Sequence, residues 1–505
     1  MPAVPADHVD VLIVGAGISG IGTAWYLQDR QPERTYAILE MRDASGGTWD
    51  LFRYPGIRSD SDLHTFGYAF KPWTGEDAIA DADAILAYLR ETAADAGIDE
   101  HIRYGRKVLA AEWDSTEARW TVTVEDVATG ETTTMTAGWL FSAAGYYRYD
   151  QGYRPDFPGE EDFAGTIVHP QEWPEDLDYA GKRVVVIGSG ATAVTLVPSM
   201  ADDAEHVTML QRSPSYVMPV PKQDPIANVM KRVLPDRLAY DLTRRRNIAQ
   251  QRLVYRFCQA RPGMARWVIR RINAALLPDD FDVDTHFNPA YDPWDQRLCA
   301  VPNGDLFRAI RKGTASIVTD HIDTFTPDGI RLQSGEELSA DIIITATGLQ
   351  LEVFGGIDLT VDGTPVDVGQ RVAFRGMMLS GVPNMAFAIG YTNSSWTLKV
   401  DLVCEHLMRI LDHMDRHGHD IARPELPEGQ EMTLSPLLDF QAGYVKRSMH
   451  LLPRAGEGKE WQVASDYKVD VSVLRDGPVV SEGLRFGTAT VAPDAEDVLE
   501  GAATG

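Results

Sequence analysis

Two glycine-rich segments of this 505-residue chain have the spacing that binds the pyrophosphate of a dinucleotide. The first contains Gly15, Gly17, Ser19 and Gly20 and follows a mostly apolar run, 9–14, that is typical of a buried strand. The first glycine permits a tight turn, the second lets a phosphate approach the backbone, and the third lets the next helix pack on the strand. The free N–H groups at the start of that helix then face the phosphates.

A carboxylate follows at the distance that a bound ribose requires. The next predicted strand ends at Glu40, twenty residues after Gly20, where an acidic residue usually accepts hydrogen bonds from ribose hydroxyls. The alternative is a plain glycine-rich turn in an α/β domain. Because strand, glycines, helix, strand and terminal carboxylate occur together, we interpret this segment as a site for FAD.

The second glycine motif contains Gly188, Ser189, Gly190, Thr192 and Ala193, with alanine in place of the third glycine. Its next predicted strand ends at Gln211 and is followed by Arg212 instead of an acidic residue. A guanidinium pairs with the oxygens of a 2′-phosphate, which a carboxylate would repel. The motif therefore predicts an NADPH site; the alternative for Arg212 is a solvated arginine at a strand end.

Composition excludes several other classes of function. The formal net charge of −27 repels nucleic acid phosphates, so no nucleic-acid partner is expected. The three cysteines, at 258, 299 and 404, form no CxxC pair, which argues against a dithiol redox centre and a bound metal. The first residues lack the pattern of a secretory signal, and a cytoplasmic location is expected.

Two longer patterns narrow the class of enzyme. Residues 163–174 match FxGxxxHxxxWP, with His169 at its centre, and residues 46–60 match GGxW followed by YPGxxxD. Through these patterns the sequence resembles class B flavoprotein monooxygenases, in particular Baeyer–Villiger monooxygenases. The segments 51–62, 291–310 and 390–402 resemble the ethionamide-activating monooxygenases of mycobacteria, and the resemblance extends to about residue 490. For His169 we favour a structural role that couples the linker to the NADPH domain.

The resemblance implies further residues for both cofactors and for catalysis. Arg297 would be the active-site arginine, whose cation favours an anion at the reacting centre. Asp60, close to the flavin ring, would hold Arg297 or the nicotinamide amide in place; the alternative is a helix N-cap. Many members carry lysine where this chain has Gln296, so weaker NADPH preference is expected. The other implied contacts are Gly47, Thr48, Trp49 and the backbone of Val108 for FAD, and Arg58, Gln211 and Arg212 for NADP.

The activity that the resemblance implies uses NADPH and O2 to convert ketones or aldehydes to esters or lactones, and to oxidise sulfides to sulfoxides. The alternative is a flavin-containing S- or N-monooxygenase without carbonyl oxygenation. A disulfide reductase is opposed by the missing CxxC pair. A flavin-binding sensor without catalysis would share the same fold.

The elements that position these residues predict an α/β fold with two nested Rossmann-like dinucleotide-binding domains and a helical insertion. The FAD-binding domain is expected at 1–150 and 346–505, the NADPH-binding domain at 151–216 and 290–345, and the insertion at 217–289. Within it, 222–271 holds thirteen Lys or Arg against three Asp. One interpretation is a cap on the substrate pocket with ion-paired arginines, and the other is a peripheral contact with anionic lipid.

Overall fold

The first sheet joins the beginning of the chain to a later part of it. The computed structural model describes residues 7–296, 298–427, 432–438 and 442–489. Strand His8–Val14 pairs in parallel with Tyr36–Glu40 on one side and with Thr132–Ser142 on the other. In order across the sheet, the strands are Thr364–Pro365, Asp358–Val361, Arg106–Asp114, Arg119–Asp126, Thr132–Ser142, His8–Val14, Tyr36–Glu40 and Ile102–Tyr104, and Met385–Phe387 also pairs with Thr132–Ser142.

Strand His8–Val14 of this sheet packs against a hydrophobic core on each face. Val11 and Ile13 point into a core that they share with helices Ile18–Arg30 and Trp396–His417. Leu12, on the opposite face, packs with residues of the neighbouring β-strands. Because side chains alternate along a strand, a strand between two cores is apolar throughout, which explains its apolar sequence.

The second sheet carries the second glycine motif, and its strands are parallel. Helix Ala191–Met200 follows the central strand, and helix Asp305–Lys312 packs against that helix. An antiparallel sheet of Ile322–Thr326, Gly329–Leu332 and Glu337–Ser339 packs on the other face of the second sheet. The strand order of the second sheet is Ala315–Thr319, His206–Gln211, Arg183–Ile187, Ile342–Thr345 and Thr166–Val168.

The chain crosses twice between the two sheets, so that the second lies nested within the first. It leaves the first sheet after residue 142, returns after residue 345, and rejoins the first sheet at residue 358. This arrangement confirms the predicted α/β class with two nested Rossmann-like units. The domain boundaries at 150, 216, 289 and 345 stay predictions. They are supported by the assignment of the strands to the two sheets.

The predicted insertion, 217–289, is mainly helical. It opens with strand Val217–Val220, which pairs in parallel with Cys299–Pro302, beyond the end of the insertion. In the part of the chain that the structure describes, no helix is long and apolar enough to cross a membrane. The helices of the insertion are Pro225–Val233, Asp236–Ala260, Pro262–Leu276 and Val283–Phe287.

Shorter elements complete the two α/β units. Helices Thr48–Leu51, Leu63–Phe66 and Ala82–Asp95 belong to the first third of the chain, and Gly443–Ser448 and Tyr467–Asp470 to the last. The remaining strand pairs are Ala373–Phe374 with Met378–Leu379, Ile421–Pro424 with Leu484–Gly487, and Ser435–Pro436 with Arg454–Ala455.

A buried histidine makes the stability of this fold depend on pH. The ring of His406 accepts a hydrogen bond at Nε2 from Arg375 (2.8 Å) and donates one from Nδ1 to the Leu474 carbonyl (2.7 Å). Burial, with Arg375 as the next cause, lowers the pKa of His406 to about 3. As the pH falls below about 6.5, His406 becomes protonated in the unfolded chain but stays neutral in the folded chain. The free energy of unfolding therefore decreases below that pH.

We expect this histidine to remove about 2 kcal/mol from the free energy of unfolding between pH 7 and pH 5. Chemical unfolding at the two pH values measures this loss of stability. In His406→Gln, the loss between pH 7 and pH 5 should be smaller by about 2 kcal/mol. His321→Gln, at an exposed position, is the matched control. An unchanged pH dependence in His406→Gln would contradict the assignment.

Candidate active site

The first glycine loop leaves no room for side chains. Gly15 has a φ of +101°, and a Cβ there would lie 2.8 Å from the carbonyl oxygen of Ala143. A Cβ on Gly20 would lie 1.9 Å from the carbonyl oxygen of Gly15, so helix and turn are in direct contact. Helix Ile18–Arg30 begins at Gly17 without a side-chain cap. Its first N–H groups are thus available to phosphate oxygens.

The Glu40 carboxylate is fixed at the end of the neighbouring strand. Its Oε2 accepts from the Ala16 N–H (2.7 Å) and its Oε1 from the Arg42 N–H (3.0 Å). Burial raises the pKa of Glu40, and the two N–H donors oppose that rise. Because a carboxylate has about four acceptor positions, both oxygens retain capacity for ribose hydroxyls.

The Gly47–Trp49 segment lies against the first glycine loop. A Cβ on Gly17 would lie 3.6 Å from the Gly47 Cα, and the Thr48 hydroxyl is 3.2 Å from the Tyr149 hydroxyl. Trp49 makes an edge contact with Phe66. The next residue, Asp50, is buried and pairs with Arg42, Arg53 and Arg90, which fixes the segment in place. Val108 is buried on strand Arg106–Asp114, within the same domain.

The second glycine loop repeats this geometry with more open space. Gly188 has a φ of +143°, and a Cβ there would lie 2.3 Å from the Ala346 carbonyl oxygen. A Cβ on Gly190 would meet no atom within 4 Å, and helix Ala191–Met200 begins there without a side-chain cap. Ser189 donates to the Ser213 carbonyl, and Ala193 is buried in the core. The loop thus leaves room for a phosphate at a free helix N-terminus.

The segment 54–60 connects the two glycine motifs. The Tyr54 hydroxyl is hydrogen-bonded to Thr192 at the start of the second helix, and burial raises the pKa of Tyr54, with the charge of Asp60 adding to the rise. Arg58 pairs with Asp305 through Nη1 (2.7 Å), whereas its buried Nη2 has no hydrogen-bond partner among the described residues. A buried N–H without an acceptor is costly, so Nη2 fits a site for a phosphate oxygen.

Gln211 and Arg212, at the end of strand His206–Gln211, differ in surroundings. The Gln211 amide is buried and donates to the His286 carbonyl (2.9 Å) and the Thr319 hydroxyl (2.8 Å), which ties the strand to the insertion. Arg212 is exposed and makes no hydrogen bond or ion pair with the described residues. Its guanidinium is thus available to an external phosphate.

We expect Arg212→Gln to raise the KM for NADPH by about 10- to 100-fold, because a charge-assisted hydrogen bond to the 2′-phosphate is lost. The KM for NADH, which lacks this phosphate, should change little. Steady-state kinetics with both cofactors measure the ratio, and Arg212→Lys should retain part of the preference. Equal losses for NADPH and NADH would contradict the assignment.

His169 joins the FxGxxxHxxxWP fingerprint to the second crossover of the chain. Its Nδ1 accepts from the Gln171 N–H (3.2 Å), so the neutral ring carries its proton on Nε2, which donates to the Gly348 carbonyl (3.3 Å). Burial lowers the pKa of His169 and keeps the ring neutral. A Cβ on Gly152, in the first crossover, would overlap the ring at 1.8 Å. His169 therefore lies between both crossovers, in agreement with the structural role that we predict for it.

The C-terminal part of the chain contributes a pocket that the sequence did not identify. The Trp396 indole N–H donates to Ser19 of the first glycine loop (2.9 Å), which places the start of helix Trp396–His417 beside that loop. A small cavity of about 20 Å³, enough for roughly one water molecule, lies next to it. Its polar side chains are Tyr391, Thr392, Lys399 and Ser465, and its apolar side chains include Ile389, Leu437, Leu438 and Val463.

Two polar side chains of this pocket share one carboxylate oxygen. The Lys399 ammonium (2.8 Å) and the Tyr391 hydroxyl (2.5 Å) both donate to Oδ2 of Asp470; Lys399 and Asp470 are buried, and Tyr391 is half-buried. Burial raises the pKa of Tyr391 well above its usual value, with Asp470 as the next cause. The signal in the sequence was a lysine, Lys399, within a mostly apolar stretch of helix Trp396–His417.

The start of helix Trp396–His417 has no side-chain cap. Asn393 and Ser394 are of residue types that often cap helices, but Ser395 occupies the N-cap position, without a side-chain hydrogen bond. The Asn393 amide donates instead to the Ser465 carbonyl, and the Ser394 hydroxyl to Gln251 of the insertion. These side chains hold neighbouring segments together, which leaves the helix N-terminus without a side-chain cap.

The predicted catalytic residues are described only in part. Asp60 is half-buried, next to the segment that contacts the second motif. Arg297 lies outside the described residues. Cys299, two residues further on, has its sulfur 4.0 Å from the Ser189 carbonyl oxygen, so this strand begins beside the second glycine loop.

Comparisons with known proteins agree with this geometry. The family model "Flavin-binding monooxygenase-like" matches residues 77–352, and "NAD(P)-binding Rossmann-like domain" matches 13–74. The chain is 54% identical to the FAD-containing monooxygenase EthA of Mycobacterium tuberculosis, over 95% of this chain and 98% of that protein. It is 46% identical to the probable FAD-binding monooxygenase AlmA of Acinetobacter baylyi, over 96% and 97%.

Solved structures share the fold at low sequence identity. Cyclohexanone monooxygenase in an open form has a TM-score of 0.75 at 21% identity, over 96% of this chain and all of that one. Oxidised steroid monooxygenase bound to NADP has a TM-score of 0.73 at 21% identity, over 95% of this chain and all of that one. Together with two uncapped glycine loops that fit two dinucleotides, these findings show that the chain belongs to the flavin-binding monooxygenase-like family, as a flavin monooxygenase that uses FAD and NADPH.

Proposed function

We propose that this monooxygenase catalyses Baeyer–Villiger oxidation: with NADPH and O2 it converts ketones or aldehydes to esters or lactones, and it also oxidises sulfides to sulfoxides. The observation that carries the proposal is the buried His169, through which the FxGxxxHxxxWP fingerprint contacts the crossover between the two nucleotide domains. Solved structures with the same fold include cyclohexanone monooxygenase with cyclohexanone and with ε-caprolactone, a ketone and a lactone. These structures support the substrate class.

The cofactor roles follow from the two loops. FAD and NADPH, when bound, supply the hydride transfer and the activation of O2. The free N–H groups at the two helix starts bind the pyrophosphates, and Arg58 and Arg212 bind phosphate groups of NADPH. The proposed FAD residues are Gly15, Gly17, Ser19, Gly20, Glu40, Gly47, Thr48, Trp49, Asp60 and Val108, and the proposed NADPH residues are Arg58, Gly188, Ser189, Gly190, Thr192, Ala193, Gln211 and Arg212.

The proposed catalytic residues are Arg297 and Asp60. The Arg297 guanidinium stabilises the negative charge that develops at the oxygen atoms when the carbonyl carbon is attacked. Asp60 orients that guanidinium or the nicotinamide amide.

The alternative is a flavin-containing S- or N-monooxygenase without carbonyl oxygenation. It would use the same cofactors and the same glycine loops, so the products distinguish the two activities. The FxGxxxHxxxWP match and the contacts of His169 favour the Baeyer–Villiger reaction.

The test is product analysis with the FAD-loaded protein, NADPH and labelled O2. Phenyl ketones, linear ketones and thioethers are supplied in parallel, and products are identified by gas chromatography with mass detection. Esters that carry one labelled oxygen atom are the expected result. Sulfoxides without any ester would overturn the Baeyer–Villiger proposal in favour of the alternative.

We further propose a cytoplasmic location. The cysteines at 258, 299 and 404 are buried and form no disulfide within the described residues, which fits a reducing compartment. The partners of the site are small molecules, and the net charge of −27 disfavours nucleic acid.

A further inference from the structure

The insertion exposes an unusual amount of apolar surface. More than half of the large hydrophobic side chains that are exposed in the described chain lie on helices Pro225–Val233, Asp236–Ala260 and Pro262–Leu276. We call the exposed sides of these three helices the insertion face. Exposed apolar residues that cluster, in contrast to scattered ones, indicate a binding surface.

The longest helix of the insertion, Asp236–Ala260, exposes apolar side chains to solvent along one side. Leu238, Leu242 and Leu253 are 46%, 40% and 71% exposed. At 100° per residue they share one side of the helix with Arg245 and Arg256.

The opposite side of the same helix is docked on the FAD domain. Tyr240 and Arg244 are buried there and bond to the backbone of the segment 64–68. Asn247 donates to Asp62 on the same side. The apolar stripe is thus not needed for the core and faces away from the protein.

The two neighbouring helices repeat the pattern. On the first helix, Ile226 and Val229 are 58% and 57% exposed. On the third helix, Met264 and Trp267 are 56% and 59% exposed, and the Arg271 guanidinium lies over the Trp267 ring. Contacts between successive helices place the three stripes on one contiguous part of the molecule.

The arginines of the insertion divide into two groups. Three of them are ion-paired within the protein: Arg244 with Asp401, Arg246 with Asp224 and Arg252 with Asp466. Arg245 and Arg256, on the apolar stripe, are exposed and have no hydrogen bond or ion pair within the described residues. Ion pairing therefore leaves two unpaired cations among the exposed apolar side chains.

We propose that the insertion face binds the surface of an anionic lipid bilayer. Leucine, valine and tryptophan would enter the acyl boundary, while the arginines remain at the level of the anionic head groups. Each basic residue near such a surface strengthens binding by about fivefold. Because the chain as a whole carries −27, the rest of the protein is repelled, and binding is confined to this one face.

A second copy of the chain is a poorer occupant of this face. A twofold dimer would place the same patch on both sides and set unpaired arginines against arginines. An anionic lipid surface supplies negative head groups for the arginines and, just below them, an apolar layer for the exposed hydrophobic side chains.

Lipid binding would bring the candidate active site close to dissolved apolar substrates. Gln251, on the docked side of the long helix, contacts Ser394 and Thr65. Ser394 precedes the Trp396 that contacts the first glycine loop. One helix diameter, about 10 Å, separates these contacts from the insertion face.

The test is co-sedimentation of the full-length, FAD-loaded protein with vesicles of phosphatidylglycerol and phosphatidylcholine. We expect binding at low ionic strength, weaker binding at physiological salt, and none to phosphatidylcholine alone. The double variant Arg245→Gln/Arg256→Gln should bind about 25-fold more weakly. Leu242→Asn/Leu253→Asn should lose at least about tenfold, because two exposed leucines no longer enter the bilayer.

Matched controls distinguish this face from the general surface. Arg30→Gln/Arg416→Gln removes two exposed charges elsewhere, and Val127→Asn removes an exposed apolar residue of the first sheet domain. Both should bind vesicles as the parent protein does. NADPH oxidation in lipid-free buffer should be unchanged in all variants, which shows that they are folded and loaded with FAD.

Three results would overturn the proposal. The first is no sedimentation with anionic vesicles at low salt. The second is equal loss of binding in the insertion-face variants and their controls. The third is self-association in lipid-free buffer that Leu242→Asn/Leu253→Asn abolishes, because a second copy would then cover the face.

Discussion

Replacing Arg244 by methionine is expected to lower the free energy of unfolding by about 3–5 kcal/mol. The guanidinium of Arg244 pairs with Asp401 (2.9 Å), and Nη1 also donates to the carbonyls of Thr65 (3.0 Å) and Gly67 (2.7 Å). The side chains of this pair are 9% and 3% exposed. Methionine fills much of the volume, but it leaves the buried Asp401 carboxylate without its cationic partner and removes one donor from each of several buried carbonyls.

The adjacent position provides the control for this experiment. Arg245→Met removes the same charge one residue later, where the side chain is exposed and without a partner in the described chain, and should change stability by no more than about 0.5 kcal/mol. Chemical denaturation of both variants measures the difference. Arg244→Met/Asp401→Leu, which removes both charges, should recover part of the loss. If Arg244→Met is as stable as Arg245→Met, the buried pair does not hold the insertion.

Local spacing was sufficient to predict both nucleotide loops. The residues Gly15, Gly20 and Gly188 are constrained by contacts within a few residues or with the next parallel strand, so their spacing carries the information. The two sheets followed from apolar strands beside these loops. The nesting followed from the repetition of the motif and from the resemblance, which the two crossovers confirm.

The sequence does not show which arginines of the insertion form ion pairs. Arg244, Arg245 and Arg246 are identical in type and adjacent, yet the first is buried, the second is exposed and the third pairs with Asp224. Their different surroundings depend on which side of the helix docks, and the docking partners lie in distant parts of the chain. The net charge of the insertion therefore predicted a surface property without showing which arginines create it.

The pocket was not predictable for a similar reason. Lys399 and Tyr391 meet Asp470, which lies about 70 residues further along the chain, in a short helix with no motif of its own. A buried lysine is common only with a partner, so the sequence signal indicated that a partner exists without identifying it. Only the packing of the C-terminal segment against helix Trp396–His417 supplies it.

Replacing Arg297 by alanine should lower the rate of ester formation from ketones by about 10²–10³-fold, the usual effect of removing one preorganised charge from a reacting centre. The assignment rests on the resemblance and on the position of the neighbouring strand. That strand begins at Cys299, whose sulfur is 4.0 Å from the carbonyl oxygen of Ser189 in the NADPH loop. The described strand that follows position 297 in the sequence thus begins beside the NADPH loop.

The same variant separates catalysis from binding. The glycine loops do not contain Arg297, so the FAD content of Arg297→Ala should be that of the parent protein. Sulfide oxidation should fall less than ketone oxygenation, because only attack on a carbonyl carbon builds negative charge on the substrate oxygen.

Two further variants serve as controls. Arg297→Lys keeps a cation but not the planar guanidinium, and should recover part of the rate, whereas Gln296→Ala is the neighbouring control. Ester formation at the full rate by Arg297→Ala would show that another group stabilises that charge.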